Sequence, residues 1–282
     1  MSPARRPIVL IALIAVAITV LGSTPGSAAP TVDERELLGE SFQGRPIHLY
    51  HRGDPDEIRV LVVGCIHGDE CAGVRIAKRL RTGRPRHFVD LWILPNMNPD
   101  GRAAHTRQNA RGVDLNRNFP YRWRPGPRGR YYPGRRPASE RETRIAMRLI
   151  ERIEPDVTIW FHQPLALVDA SGDVRMERRY ARLVGLPLVH LPRLYGTATS
   201  WQKHILRGTE AFVVELPGGA LRPRSARRFA KAVYRLVDRR LRVASRRGHP
   251  TAYRCAERGA VGRRGGWSWS GDRANSGERC RP

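Results

Sequence analysis

The chain is poor in lysine, cysteine, methionine and acidic residues. Its 282 residues include four cysteines, four methionines and 26 Asp and Glu, against 51 Lys and Arg. Lysine occurs only at Lys78, Lys203 and Lys231, so arginine supplies nearly all of the positive charge. The shortage of acids leaves a formal net charge of +25, which predicts attraction to polyanions.

The few cysteines exclude a dense disulfide scaffold, and none of them forms a CxxC pair that would favour a cysteine-ligated zinc site. An even number of cysteines in an exported chain predicts disulfides, and four cysteines permit three pairings. Local pairing, Cys65 with Cys71 and Cys255 with Cys280, is the favoured arrangement. A Cys/His metal site remains the alternative.

Long apolar runs are also scarce. The one at the amino terminus, Ile8–Leu21, is shorter than the about 20 residues that span a bilayer. Two arginines precede it, and small residues follow it. This order predicts a signal peptide over residues 1–29, cleaved near Ala28 or Ala29. We therefore expect a secreted or cell-wall-associated protein without a permanent membrane span. A retained membrane anchor is the alternative.

Short apolar runs alternate with amphipathic segments over residues 30–244, which predicts one α/β domain. The polar segment 96–118 is predicted to be a loop, and the Gly, Arg and Ser-rich residues 245–282 a tail. Ser139 is the expected N-cap of the helix 138–153. The predicted strands are 36–53 (a hairpin), 59–66, 87–95, 156–161, 186–191 and 211–216, and the predicted helices are 71–82, 138–153, 174–184, 200–206 and 223–242.

The stretch Leu61–Gly73, LVVGCIHGDECAG, passes from a buried strand through a tight loop into a helix. Open α/β sheets carry their chemistry at such strand ends. His67 and Glu70 are three residues apart there, so that an imidazole nitrogen and a carboxylate can share one zinc ion. HxxE is a common short pattern, and its meaning depends on the remainder of the chain.

Two later strands carry polar residues that a purely structural role does not explain. His162 directly follows DVTIWF. Glu215 lies within the apolar AFVVEL, where a carboxylate needs a cation as its partner or has a catalytic role. Two His and one Glu make a three-ligand zinc set, and a further carboxylate is the usual general base. The polar loop adds Arg107, Asn116 and Arg117, donors suited to carboxylates and oxyanions.

The chain resembles the zinc carboxypeptidases, the family of carboxypeptidases A and B, in the order of its motifs. These are HxxE, NPDG, DLNRNF, a histidine at the end of a strand, and AFVVEL. The resemblance covers about residues 36–242. It implies a three-layer α/β/α fold with a mixed, largely parallel sheet. It also implies one zinc ion, held by His67, Glu70 and His162.

The resemblance also assigns the remaining roles. It makes Glu215 the general base and Arg107 the stabiliser of the oxyanion. Asn116 and Arg117 would bind the free carboxylate of the substrate. Tyr195, in LYGTATSW, is the candidate for the substrate-binding tyrosine, although it lies closer to the following tryptophan than in the digestive enzymes.

Within the family, the short loops VDLNRNFP, FHQP and GTATSW are more similar to bacterial murein peptide amidases than to the digestive enzymes. This similarity implies a peptide or muropeptide substrate, cleaved between γ-D-glutamate and meso-diaminopimelate. The alternatives are an ordinary metallocarboxypeptidase acting on L-peptides and a non-catalytic, cationic cell-wall-binding protein. Anionic cell-wall polymers are further expected partners, whereas nucleic acid is not expected.

Overall fold

The computed structural model describes residues 32–171 and 174–237. The predicted signal peptide, the predicted tail and the predicted Cys255–Cys280 pair lie outside these residues. In the described part, eight strands form one sheet. They are β1 (Val32–Glu40), β2 (Pro46–Gly53), β3 (Arg59–Val63), β4 (Asp90–Leu94), β5 (Val157–His162), β6 (Leu165–Asp169), β7 (Leu188–Val189) and β8 (Glu210–Pro217).

Six α-helices accompany the sheet in the described residues. None of them is long and apolar enough to cross a membrane. They are α1 (Gly73–Thr82), α2 (Pro99–Ala104), α3 (Arg141–Ile153), α4 (Val174–Val184), α5 (Ala198–Ile205) and α6 (Pro223–Leu236).

The strand order in the sheet is β1-β2-β4-β3-β5-β8-β6-β7. The four central strands β4, β3, β5 and β8 are parallel, whereas β1, β2 and β6 join by antiparallel pairing. The mixed sheet that the resemblance implied is therefore confirmed. Because parallel strands end at the same edge, the register of β5 against β8 places His162 beside Glu215.

Two apolar clusters cover the two faces of the sheet and define three layers. Helices α1, α4 and α6 pack on one face around Phe161 and Phe229. Helices α3 and α5 pack on the other face around Trp160 and Phe119. Successive residues of β5 alternate between the two clusters, as the two-residue period of a strand requires. Because β5 is buried on both faces, its sequence DVTIWF is a nearly continuous apolar run.

The segment 96–118, predicted to be a loop, contains helix α2 and a 3₁₀ turn at Leu115–Arg117. Helix α2 begins at NPDG because Asn98 Oδ1 accepts a hydrogen bond from Gly101 N and Pro99 stands at the first helical position. The expected N-cap Ser139 was wrong. Glu140 is the N-cap of α3, and the Ser139 hydroxyl donates to the Glu140 carboxylate.

Other element boundaries differ by a few residues from those expected. Helix α5 begins at Ala198 rather than at residue 200, since the Thr197 hydroxyl accepts a hydrogen bond from Ser200 N. Strand β3 ends at Val63, although Gly64 N still donates to Leu94 O of β4. Strand β6 was not predicted. The helix expected at 223–242 ends earlier, at Leu236, with Val237 as its C-cap.

Candidate active site

The loop after β3 is held in a compact form by a covalent bond and by close backbone contact. A disulfide joins Cys65 to Cys71 and closes the segment that carries His67 and Glu70. Gly68 lies against the backbone of Gly101 in α2, where an added Cβ would be 1.9 Å from the Gly101 carbonyl carbon. The favoured pairing of the first two cysteines is therefore confirmed, and the loop has little freedom to move.

His67, Glu70 and His162 converge in one buried cluster. Nδ1 of His67 lies 2.9 Å from Glu70 Oε2, and Nδ1 of His162 lies 3.0 Å from the same oxygen. One potential ligand atom from each residue lies within 4.8 Å of the others. Two imidazoles and a carboxylate that face a common point fit zinc in type and number.

Asp114 fixes the orientation of His67, and no role was predicted for it from the sequence. Its Oδ1 lies 2.9 Å from His67 Nε2, while Oδ2 accepts from Arg107 Nε at 2.9 Å. Burial opposes ionisation of Asp114, but the charge and hydrogen bond of His67 hold its pKa well below the usual range. A metal-binding histidine commonly has such a carboxylate on its second nitrogen. Asp114 is the aspartate of DLNRNF, and its place in this motif is the feature of the sequence that could have indicated its role.

Gln163 is a second residue whose role the sequence did not predict. Its Oε1 accepts from Ala72 N at 2.9 Å, and its Nε2 donates to Pro217 O and Gly219 O at 2.8 Å. These bonds tie the loop before α1 to the end of β8. Gln163 thereby fixes the distance between the histidine–glutamate cluster and the strand that carries Glu215.

Arg107 forms the wall of the cleft beside Glu70. Its Nη1 donates to Glu70 Oε1 at 2.6 Å, and its Nε is held by Asp114. Among the described residues no hydrogen bond engages its Nη2, so this donor is available in the cleft. The guanidinium also lies 5.1 Å from the centre of the Tyr131 ring. Tyr131 belongs to an irregular segment in which no pattern of the sequence signals a function.

Asn116 and Arg117 lie on the 3₁₀ turn that Asp114 caps. Asn116 Oδ1 accepts from Ala198 N at 3.0 Å, which links this turn to the start of α5. The Arg117 guanidinium folds back onto the Asn116 carbonyl at 2.7 Å and lies 5.7 Å from the Tyr131 ring centre. Both residues line the same cleft as His67 and Glu70.

Glu215 also lines this cleft, near the end of β8. It is 9% exposed, and its Oε2 is buried with no hydrogen-bond partner in the described residues. Burial, together with the negative charge of Glu70, raises the pKa of Glu215 to about 7. A carboxyl group with a pKa near neutrality can exchange protons in both directions during a reaction.

Tyr195 lies at the rim of the cleft rather than inside the buried cluster. It is 44% exposed, and the Arg124 guanidinium lies 3.7 Å from the centre of its ring. The structure therefore brings His67, Glu70 and His162 into one cluster and places the other predicted residues around it. The role of Tyr195 in substrate binding stays a prediction.

Comparison with known proteins identifies a family. The sequence profile of the family described as zinc carboxypeptidase matches residues 26–167, about half of the chain. The matched part contains His67, Glu70 and His162 and ends before Glu215.

Two relatives and one solved structure are similar over most of their own length. Murein peptide amidase A of Escherichia coli K12 is 35% identical over 171 residues, which are 55% of this chain and 69% of the relative. The protein of the same name from Vibrio campbellii is 29% identical over 64% of this chain and 77% of its own length. The crystal structure of the murein-tripeptide amidase of Escherichia coli O157 matches 80% of this chain and 96% of that chain, with 27% identity and a TM-score of 0.62.

Proposed function

This chain belongs to the zinc carboxypeptidase family, and from that premise we propose that it hydrolyses an amide bond next to a free carboxylate in cell-wall muropeptides. That it is a zinc-dependent hydrolase follows from the family. The choice of a muropeptide as the substrate needs separate support. The family's murein peptide amidases are similar to this chain, and the charge of its cleft fits such a substrate.

One observation carries the proposal: the cleft has an excess of positive charge. It has a volume of about 840 Å³ and lies over the histidine–glutamate cluster. Three acids line it, and two of them, Glu70 and Glu215, already have roles. Seven cations line the same cleft, namely Arg107, Arg117, Arg122, Arg130, Arg193, Lys203 and Arg207.

An ordinary peptide substrate of a carboxypeptidase needs one cation for its terminal carboxylate. Arg107 is already paired with Glu70 and Asp114, and Arg130 with Asp69. The other five cations fit a substrate that carries several carboxylates around the bond to be cleaved, because guanidinium groups, which four of them have, bind carboxylates in a bidentate manner. A muropeptide with γ-linked D-glutamate and diaminopimelate has this character. Its D-glutamate keeps a free α-carboxylate, and its diaminopimelate carries two carboxyl groups.

The residues of the cleft then act as follows. His67, Glu70 and His162 would hold zinc, which would supply a Lewis acid for the scissile carbonyl and for the attacking water. Glu215 accepts a proton from the attacking water and returns it to the leaving amine. Arg107 donates from Nη2 to the developing oxyanion.

Arg117 and Asn116 bind the carboxylate next to the scissile bond and fix the substrate in register. Asp114 keeps His67 in the tautomer and orientation that the cluster requires. Tyr131 lies against Arg107 and Arg117, so that it restricts the rotation of both guanidinium groups.

Secretion is part of the proposal, because a murein substrate lies outside the cytoplasm. The predicted signal peptide supports it, and so does the Cys65–Cys71 disulfide, since such bonds persist in oxidising compartments. Sequencing the amino terminus of the protein recovered from culture should give a start just after Ala28 or Ala29. A protein that keeps residues 1–29 would contradict this part.

The substrate assignment is tested with a panel of three peptides. L-alanyl-γ-D-glutamyl-meso-diaminopimelate should have the highest kcat/KM. The same tripeptide with an amide in place of the D-glutamate α-carboxylate should lose about 30- to 1,000-fold in kcat/KM, the effect of removing one partner of a charged pair. An L-peptide of equal length should be a poor substrate. A kcat/KM for the L-peptide equal to or above that of the muropeptide would contradict the assignment and indicate an ordinary carboxypeptidase.

A further inference from the structure

We propose that the outer surface of helices α1, α6 and α4 is a docking surface for a linear phosphodiester polymer of the cell wall. We call it the three-helix surface. Helix α6 lies between α1 and α4, and the three helices together cover one face of the sheet. This inference rests on one part of the proposed function, namely that the substrate lies in the cell wall.

The three-helix surface carries almost no negative charge. There are four Lys or Arg residues in α1, four in α4 and five in α6. The single acid of these helices, Glu177, is buried. Helix α3 on the opposite face has four arginines and, because Glu142 is also buried, one exposed acid, Glu151. One of these arginines, Arg152, is also paired with Glu36. The two faces therefore differ in the acids that they expose.

Most of these cations are free to bind a partner. Ten of them are exposed, and among the described residues no ion pair or hydrogen bond engages their side chains. Such a concentration of like charge destabilises the folded chain unless counter-ions or a polyanion neutralise it. The ten residues are Arg75, Lys78, Arg79, Arg178, Arg182, Arg224, Arg227, Arg228, Lys231 and Arg235.

A shallow groove of about 260 Å³ runs along α6 beside Leu183 of α4, and five cations of α6 line it. Eight of the ten exposed cations are arginines, whose planar guanidinium matches two phosphate oxygens at once. Such a groove, flanked by further cations on α1 and α4, suits a flexible chain of phosphodiesters better than a compact ligand.

Other polyanions fit this surface less well. A membrane-binding helix inserts large apolar side chains, and the three helices expose only Val174 of that class. Proteins that bind single-stranded nucleic acid stack bases on exposed aromatic rings, and these helices expose none. Duplex DNA is read by an element that projects into a groove, whereas this surface is a layer of helices side by side.

Docking on the three-helix surface leaves the active site open. None of the residues that line the catalytic cleft belongs to α1, α4 or α6. A polymer bound there would therefore hold the enzyme on the wall while muropeptides still enter the cleft. Its contribution would be a higher local concentration of substrate, without a change in the chemistry.

The test compares two variants of the secreted protein that lose the same charge. The surface variant replaces Arg224, Arg227 and Arg235 with glutamine. The matched control replaces three exposed arginines elsewhere, Arg135, Arg136 and Arg148. Arginine and glutamine have similar helix propensities, so both variants should keep the fold, which thermal melting checks.

Binding to fluorescently labelled poly(glycerol phosphate) is measured over a range of salt concentrations. On a flexible polyanion each lost contact removes about 0.7 from the slope of log K against log salt, which is about 4-fold in affinity at 0.15 M salt. The surface variant should therefore bind about 50-fold more weakly, with a slope smaller by about 2. The control should bind within 2-fold of the unaltered protein.

Equal losses in the two variants would overturn the proposal, since net charge alone would then explain binding. Tighter binding to duplex DNA or to anionic phospholipid vesicles than to poly(glycerol phosphate) would also overturn it. Hydrolysis of a soluble muropeptide, measured on the same preparations, should be unchanged in the surface variant. Absence of that hydrolysis in the unaltered protein would contradict the proposed function and leave the binding result to stand by itself.

Discussion

Replacing Glu215 with glutamine should change activity and stability in opposite directions. Glutamine keeps the shape of the side chain but does not accept a proton from water. If Glu215 is the general base, kcat should fall by about 10²- to 10⁴-fold. The zinc content should stay the same, because Glu215 is not one of the three converging residues that could hold the metal. A residue with only a structural role would not give this combination.

The effect on stability follows from the raised pKa of Glu215 in the metal-free protein. Its pKa rises from the usual 4.5 to about 7, chiefly because of burial. Folding therefore favours the protonated form. This contribution to stability is complete below pH 4.5 and is lost as the pH rises through 7. Each pKa unit corresponds to about 1.4 kcal/mol, so about 2.5 kcal/mol should be lost between pH 5 and pH 8.

The glutamine variant has no proton to lose at this position and should not show that decrease. Urea unfolding of both metal-free proteins at pH 5 and pH 8 gives the two differences in free energy of unfolding. The free energy of unfolding should fall between pH 5 and pH 8 by about 2.5 kcal/mol more in the unaltered protein than in the variant. The same pH response in both proteins would refute the buried, raised-pKa environment, and full activity per folded molecule would refute the role as base.

Three further predictions concern the residues around the cluster. Asp114→Asn should weaken zinc binding about 10- to 100-fold, measured by competition with a chelator, and an unchanged affinity would show that Asp114 does not orient His67. Arg117→Ala should cost about 2–4 kcal/mol in kcat/KM for substrates with a free carboxylate next to the scissile bond. Equal losses on the corresponding amides would contradict that role. Replacing Cys65 and Cys71 with alanine should lower the free energy of unfolding by about 2 kcal/mol without reductant. Reduction of the unaltered protein should have the same effect, and no change in either case would contradict it.

The sequence predicted the layer structure because its strands are short, apolar and buried on both faces. It also predicted that His67, Glu70 and His162 lie together, since each of them follows or ends such a strand, and parallel strands bring these ends to one edge. Their distances could not be predicted. They depend on the register of β5 against β8 and on the loop that the Cys65–Cys71 disulfide closes.

Residues whose role depends on tertiary contact were missed. Gln163 links Ala72 to the end of β8, and no local pattern shows that these segments are neighbours. Tyr131 lies in an irregular segment and contacts Arg107 only in the folded chain. Helix α2 was missed because its polar composition outweighed the capping signal of Asn98 and the following proline.

Titration of zinc into the metal-free protein, with muropeptide hydrolysis followed throughout, tests the central claim most directly. Activity should be absent in the presence of a chelator, rise linearly with added zinc and reach its plateau at one zinc per chain. His162→Ala should bind zinc much more weakly and remain inactive at that ratio. An undiminished rate of hydrolysis with chelator present, or in the His162→Ala variant, would contradict a zinc-dependent reaction at His67, Glu70 and His162.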